Sequence, residues 1–106
     1  MPATADSVIE IAKKYIDELQ RHNIHVWEAI LFGSYAKGNV NEESDIDIAI
    51  ISDAFTGDRF EDRRKIVPFR REIDSRIEPM PFRPESFSDG GNLADEIKRT
   101  GIKIAV

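Results

Sequence analysis

Ser44-Asp45-Ile46-Asp47-Ile48-Ala49-Ile50-Ile51 is the stretch on which the fold turns. Its alternation has a period of two, so Ile46, Ile48 and Ile50 share one face of a strand while Asp45, Asp47, Ala49 and Ile51 share the other. The row of isoleucines fixes the strand in a core and thereby fixes where the aspartates point. The second face turns from acidic to apolar along its length, which sets both charges at one end, near a rim. Strand rise spaces the two carboxylates by about 6 to 7 Å, close enough to reach ions lying over that face. With ordinary pKa values of about 4, both are ionised at neutral pH. Magnesium takes oxygen ligands and keeps waters and substrate phosphates in its shell, so the pair suits it. An Asp-x-Asp pair alone is weak evidence of a metal site, and on charge alone a solvated acidic loop accounts for the surrounding acidic stretch as simply.

Upstream, Trp27 to Phe32 is a short apolar run halted by Gly33, and it reads as a strand. Gly33-Ser34 then opens a turn. Glycine permits close backbone approach there, and the following N–H groups with the serine hydroxyl offer a phosphate cradle. A tight turn that simply needs glycine is the plainer alternative. Gly33 and Gly38 have P-loop spacing, but Asn39-Val40 stands where Lys-Ser/Thr is required, and the acidic run lacks the glycine and twelfth-position Glu of an EF-hand. Before the strand, Val8, Ala12, Tyr15, Ile16 and Leu19 recur at helical spacing from about Ser7 to His22, with Ser7 and Glu10 as a capping box and Asn23 ending the run.

Downstream, Arg59 to about Glu72 reads as a helix that Pro68 kinks or splits. Arg76 to Phe82 reads as a third strand, restricted by Pro79 and Pro81 to an edge or an early end. Pro84 to Gly91 reads as loop, and Asn92 to Thr100 as a short helix capped by Asn92 and terminated by Gly101. Ile102 to Val106 can add a last strand. The expected fold is α/β (α+β), a small mixed β-sheet flanked by helices, as a single domain over residues 1–106.

Composition bounds the function. The chain has 106 residues, 41% hydrophobic and 33% charged, the balance of a globular protein. It has no cysteine, which removes disulfides, thiolate metal sites and cysteine nucleophiles together. No apolar run approaches the roughly 20 residues of a membrane span, and the start does not read as a signal peptide, so a cytoplasmic protein is expected. Net charge is −5, which disfavours nucleic acid as a partner. Between Asn39 and Asp58 six acidic residues stand with no basic one; between Arg59 and Glu85 eight basic residues face six acidic. A bound divalent cation is one way to relieve such an acidic stretch.

Gly33-Ser34-Tyr35-Ala36-Lys37-Gly38, followed by Ser44 to Ile51, resembles the signature of the DNA polymerase β-like nucleotidyltransferase superfamily, and the length is similar to that of its minimal members. Arg76-Ile77-Glu78-Pro79 resembles the strand that supplies the family's third carboxylate, and Glu96 to Gly101 its final helix. Lys37 stands where arginine is common, and Glu78 stands in place of aspartate. The resemblance implies that Asp45, Asp47 and Glu78 are catalytic and hold two magnesium ions, and that Gly33, Ser34 and Lys37 bind the nucleotide. It implies transfer of a nucleoside monophosphate, AMP from ATP, to a hydroxyl, with release of pyrophosphate. Small proteins similar to this one act as antitoxins that adenylylate a tyrosine of a HEPN-domain toxin. A small-molecule acceptor, or a non-catalytic partner-binding module on the same fold, are the alternatives.

Other residues receive plainer readings. His22 and His25 read as surface residues without a partner, and Trp27 and Phe32 as core. Arg63, Arg64, Lys65, Arg70 and Arg71 read as a solvated helix face, with a grip on triphosphate as the alternative. Tyr35 can contact the nucleotide.

Overall fold

The structure, a computed structural model, describes residues 5–33, 45–104 and 106. Helix α1 (Ala5–Arg21) lays Val8, Ala12, Tyr15, Ile16 and Leu19 against the sheet, all of them buried. Ala5 and Asp6 are already helical, so Ser7 lies within the helix and not at the cap expected of it. Its other end follows the sequence closely. Asn23 takes a left-handed φ of 66°, while the Ile24 and Asn23 N–H groups return to the Leu19 and Gln20 carbonyls at 3.0 and 3.1 Å. This closes the helix with a Schellman pair, for which asparagine is among the few suitable residues.

Strands β1 (Glu28–Phe32), β2 (Ile46–Ile51), β3 (Ile77–Phe82) and β4 (Ile102–Ile104) form one mixed sheet in the order β3-β2-β1-β4. β1 pairs antiparallel with β2 and β4; β2 and β3 run parallel. A parallel pair needs a crossover. It is supplied by α2 (Arg59–Ile66) and the 3-10 segment Val67–Glu72, which is the split expected at Pro68. Asp58 caps α2, accepting from the Phe60 and Glu61 N–H groups. Where the helix breaks, the buried Tyr15 hydroxyl donates to the Ile66 carbonyl at 2.6 Å. Burial pushes the Tyr15 pKa up, which keeps the donor proton in place.

The sheet separates two cores, and the alternation along β2 assigns its residues between them. Ile46, Ile48 and Ile50 join Ala29, Leu31, Ile66, Ile77 and the α1 residues on the first face. Ala49 and Ile51 join Ile30, Phe87, Ala94 and Ile97 on the second. Asp47 shares that second face, so the helices that cover its apolar end leave its acidic end to other uses.

The last third of the chain departs from expectation in two ways. Residues 84–89 form helix α3 (Pro84–Asp89), not loop. Pro84 presets its first φ, and Phe87, one turn on, anchors it by packing edge-on to Phe82 at 5.2 Å. Six residues are too few for periodicity to announce. Helix α4 (Asn92–Thr100) starts from Gly91 with no side-chain cap, so Asn92 is its first residue. Gly101 ends α4 as expected because there is no room for a side chain: a Cβ would stand 2.3 Å from the Ile30 Cγ2 and 2.5 Å from the Ile97 carbonyl.

Trp27 and His22 also differ from expectation, the first in its exposure and the second in its contacts. Trp27 is 52% exposed rather than core, since it precedes β1 and its side chain has no face to pack on. His22 is not partnerless: it stacks on Phe69 at 4.4 Å and stands 3.4 Å from Glu18. Among the described residues, no helix is long and apolar enough to cross a membrane.

Candidate functional site

β2 and β3 bring Asp47 and Glu78 side by side. The two are register partners on parallel strands, so their side chains leave the same face of the sheet. Asp45 precedes β2 by one residue and is exposed. On its other side Asp47 pairs with Phe32, the last residue of β1, and Gly33 follows there with φ of 74°. A Cβ on Gly33 would lie 2.3 Å from Asp47 Oδ2. Glycine is required at 33, then, for a reason the sequence conceals: the group that approaches this backbone is the aspartate carboxylate itself. Ser34, Lys37 and Tyr35 lie outside the described residues.

The electrostatics follow from this crowding. Asp47 is half-buried, and its pKa is raised from the ordinary 3.8, first by burial and then by the charges of Asp45 and Glu78. A carboxylate pushed up by its neighbours is a group that a cation would relieve. The donor set is made of hard oxygens, and magnesium needs only one or two carboxylates beside waters and phosphates, so Asp45 and Asp47 fit that ion. Glu78 is engaged differently. Its Oε1 accepts from Arg70 at 3.1 Å and its Oε2 from Arg63 at 3.3 Å. Among the described residues, no three His, Asp or Glu side chains stand grouped as a ready metal cage.

The arginine pair was missed by reading α2 and the 3-10 segment as a solvated face. Spacing gave no signal for the pair, because Arg64 and Arg71 are seven residues apart as well. Asp62 was missed as well. It is buried, and its carboxylate accepts from the Thr56 N–H at 2.8 Å, the Thr56 hydroxyl at 3.1 Å and the Gly57 N–H at 3.0 Å. Its role is to pin the loop after β2 to α2.

A cleft of about 200 Å³ opens beside Gly33, lined by Phe32, Leu93, Glu96, Ile97 and Thr100. Phe32 thus faces a hollow as well as the second core. A larger hollow of about 340 Å³ lies at the far end of β3, by Pro81, Phe82 and Arg83, away from all three carboxylates.

Known proteins are similar to this chain in sequence and in fold. A candidate protein adenylyltransferase from Methanocaldococcus jannaschii is 45% identical over 42 residues, which are 39% of this chain and 42% of that protein. The aligned part is therefore less than half of the relative. A crystal structure of a candidate nucleotidyltransferase from Sulfolobus solfataricus superposes with a TM-score of 0.67 at 19% identity, covering 93% of this chain and 80% of that one. That likeness establishes the fold, a four-stranded mixed sheet flanked by helices. A toxin–antitoxin structure with AMP-PNP gives a TM-score of 0.60 at 25% identity, over 86% of this chain and 70% of that one. Residues 12–100, which hold β1, β2 and β3, Gly33 and all three carboxylates, match the nucleotidyltransferase domain family, and the chain belongs to it.

Proposed function

We propose that this protein is a magnesium-dependent nucleotidyltransferase that moves AMP from ATP to a hydroxyl, a tyrosine of a HEPN-domain toxin, as the antitoxin of the pair. The observation that carries the reading is Asp47: half-buried, lodged against Gly33, and raised in pKa first by that burial and then by two neighbouring carboxylates. A protein stabilised for its own sake has little use for such a cluster. Family membership supports the reaction class, and the likeness to a toxin–antitoxin structure with AMP-PNP supports both nucleotide and partner.

In this reading Asp45 and Asp47 hold magnesium, and Glu78 is the third carboxylate. Bound magnesium would neutralise charge on the phosphates and orient them. Gly33, with Ser34 and Lys37, holds the phosphate tail. Glu78 takes the proton of the acceptor hydroxyl. The acceptor oxygen bonds to the α-phosphorus as the bond to the bridging oxygen breaks, and pyrophosphate leaves. Holding the reactants in line and balancing their charge supplies most of the rate.

The test is incubation with α-labelled ATP, with magnesium or with EDTA, with and without the product of the neighbouring gene. Label should pass to that partner only with magnesium, and not from Asp47→Asn. Label appearing on a small molecule instead would move the acceptor, and no label under any condition would overturn the assignment.

A further inference from the structure

Glu78 carries one more rotatable bond than an aspartate, so its backbone alone does not set where its carboxylate points. The structure sets it from outside. Arg70 Nη1 donates both to the Ile77 carbonyl at 2.8 Å and to Glu78 Oε1 at 3.1 Å. Arg63 donates from Nη1 to the Pro79 carbonyl at 3.1 Å and from Nη2 to Glu78 Oε2 at 3.3 Å. Each guanidinium therefore spans one backbone carbonyl and one carboxylate oxygen, and the two anchoring carbonyls flank Glu78 in the chain. A planar fork can hold two such acceptors at once; an ammonium is a point charge on a flexible stem. Both arginines come from the segment whose Ile66 is packed in the first core, while Glu78 shares the second face with Asp47. They reach it around the open side of β3.

We propose that Arg63 and Arg70 are positioning residues that act through Glu78. They fix its carboxylate at the border of β3, beside the Asp45–Asp47 pair, and supply the positive charge that offsets the acidic site when no cation is bound. This rests on the reading of Asp45 and Asp47 as a cation site. It has two consequences of opposite sign. Taking away positive charge beside a cation site tightens cation binding. Taking away the fixed position slows the reaction, because a loosely held group spends less time in place.

The experiment compares wild type with Arg63→Gln/Arg70→Gln, Arg63→Lys/Arg70→Lys and Glu78→Gln, and with the Gln pair combined with Glu78→Gln. Manganese affinity is read by calorimetry and by the manganese-induced rise in Tm; turnover is read as pyrophosphate released from ATP. In the arginine-to-glutamine pair, manganese affinity should rise by about threefold to tenfold. Turnover should fall by about tenfold or more, with KM for ATP unchanged. The lysine pair should return manganese affinity to the wild-type value and leave turnover low. In the Glu78→Gln background, losing the arginines should change turnover less than about twofold, since a residue acting through another has nothing left to act on. A merely structural clamp would lower Tm without tightening cation binding, and that result would overturn the proposal. So would an equal loss of turnover in both backgrounds. A wild-type protein with no manganese response would overturn the cation site, and the proposal with it.

Discussion

Replacing Asp47 by asparagine removes one charge from the most crowded carboxylate of the site while keeping its shape. Asp47 has a raised folded-state pKa. Such a group contributes stability that is complete below its unfolded value of about 3.8 and is lost as pH rises through the raised folded value. At neutral pH, ionised Asp47 therefore works against the fold. Asp45 lies two residues away along extended backbone, at about 6.5 Å. Repulsion at that distance is about 0.6 kcal/mol in water-like surroundings and about 2.5 kcal/mol at an effective dielectric constant of 20. Asp45 is exposed and Asp47 only half-buried, which places the pair near the lower figure. Glu78 adds less, because its arginines offset it. Asp47→Asn should then be about 1 kcal/mol more stable than wild type at pH 7, with a Tm higher by about 4–8 °C. Urea unfolding at pH 7 and at pH 3 measures the difference, which should vanish at the lower pH. Millimolar magnesium should reverse the order, raising wild type and leaving the variant unmoved. A variant less stable than wild type at pH 7 without cation would mean that the carboxylate serves the fold as an acceptor, and the charge argument would fail.

Three further outcomes can be checked by the same unfolding measurements. Gly33→Ala places a Cβ 2.3 Å from Asp47 Oδ2 at a left-handed φ, so it should cost about 1–3 kcal/mol and abolish the magnesium response; an unchanged response would show that the carboxylate can move aside without loss. Tyr15→Phe leaves the Ile66 carbonyl without its donor in a buried setting and should cost about 1–3 kcal/mol, with turnover retained. Asp62→Ala strips three donors of their acceptor, and about 2–4 kcal/mol should be lost; a loss under about 0.5 kcal/mol would show that water replaces it readily.

Much of the fold could be read in advance where one pattern served one purpose. The isoleucines of β2, the α1 stripe, the Pro68 break and the prolines of β3 each report a local constraint that tertiary structure obeys. Asp45 and Asp47 could be paired from the alternation of their stretch, whereas Glu78 was singled out only by the resemblance of Arg76-Ile77-Glu78-Pro79 to the strand of the family's third carboxylate. The failures share a physical cause: they depend on what meets across space. Nothing local distinguishes Arg63 from Arg64, yet only the former reaches around β3. Asp62 looks like any helix-surface acid until the loop at 56–57 folds onto it. Trp27 precedes a strand whose faces were already filled by other residues.

The outer side of β3 is closed to a further strand. Ile46 N–H donates to the Arg76 carbonyl and Ser52 N–H to that of Phe82, so the even-numbered carbonyls of β3 face β2 and the odd-numbered ones face outward. Of the outward donors, the Ile77 N–H is spent on Asp74, and Pro79 and Pro81 have none. Two of the outward acceptors are taken by arginine. Another chain cannot dock here by extending the sheet, for it would find no amide hydrogen to accept. The acidic site is thus flanked by a border that refuses strand addition and the aggregation that can follow from it, and a protein that docks along β3 must be recognised there through side chains.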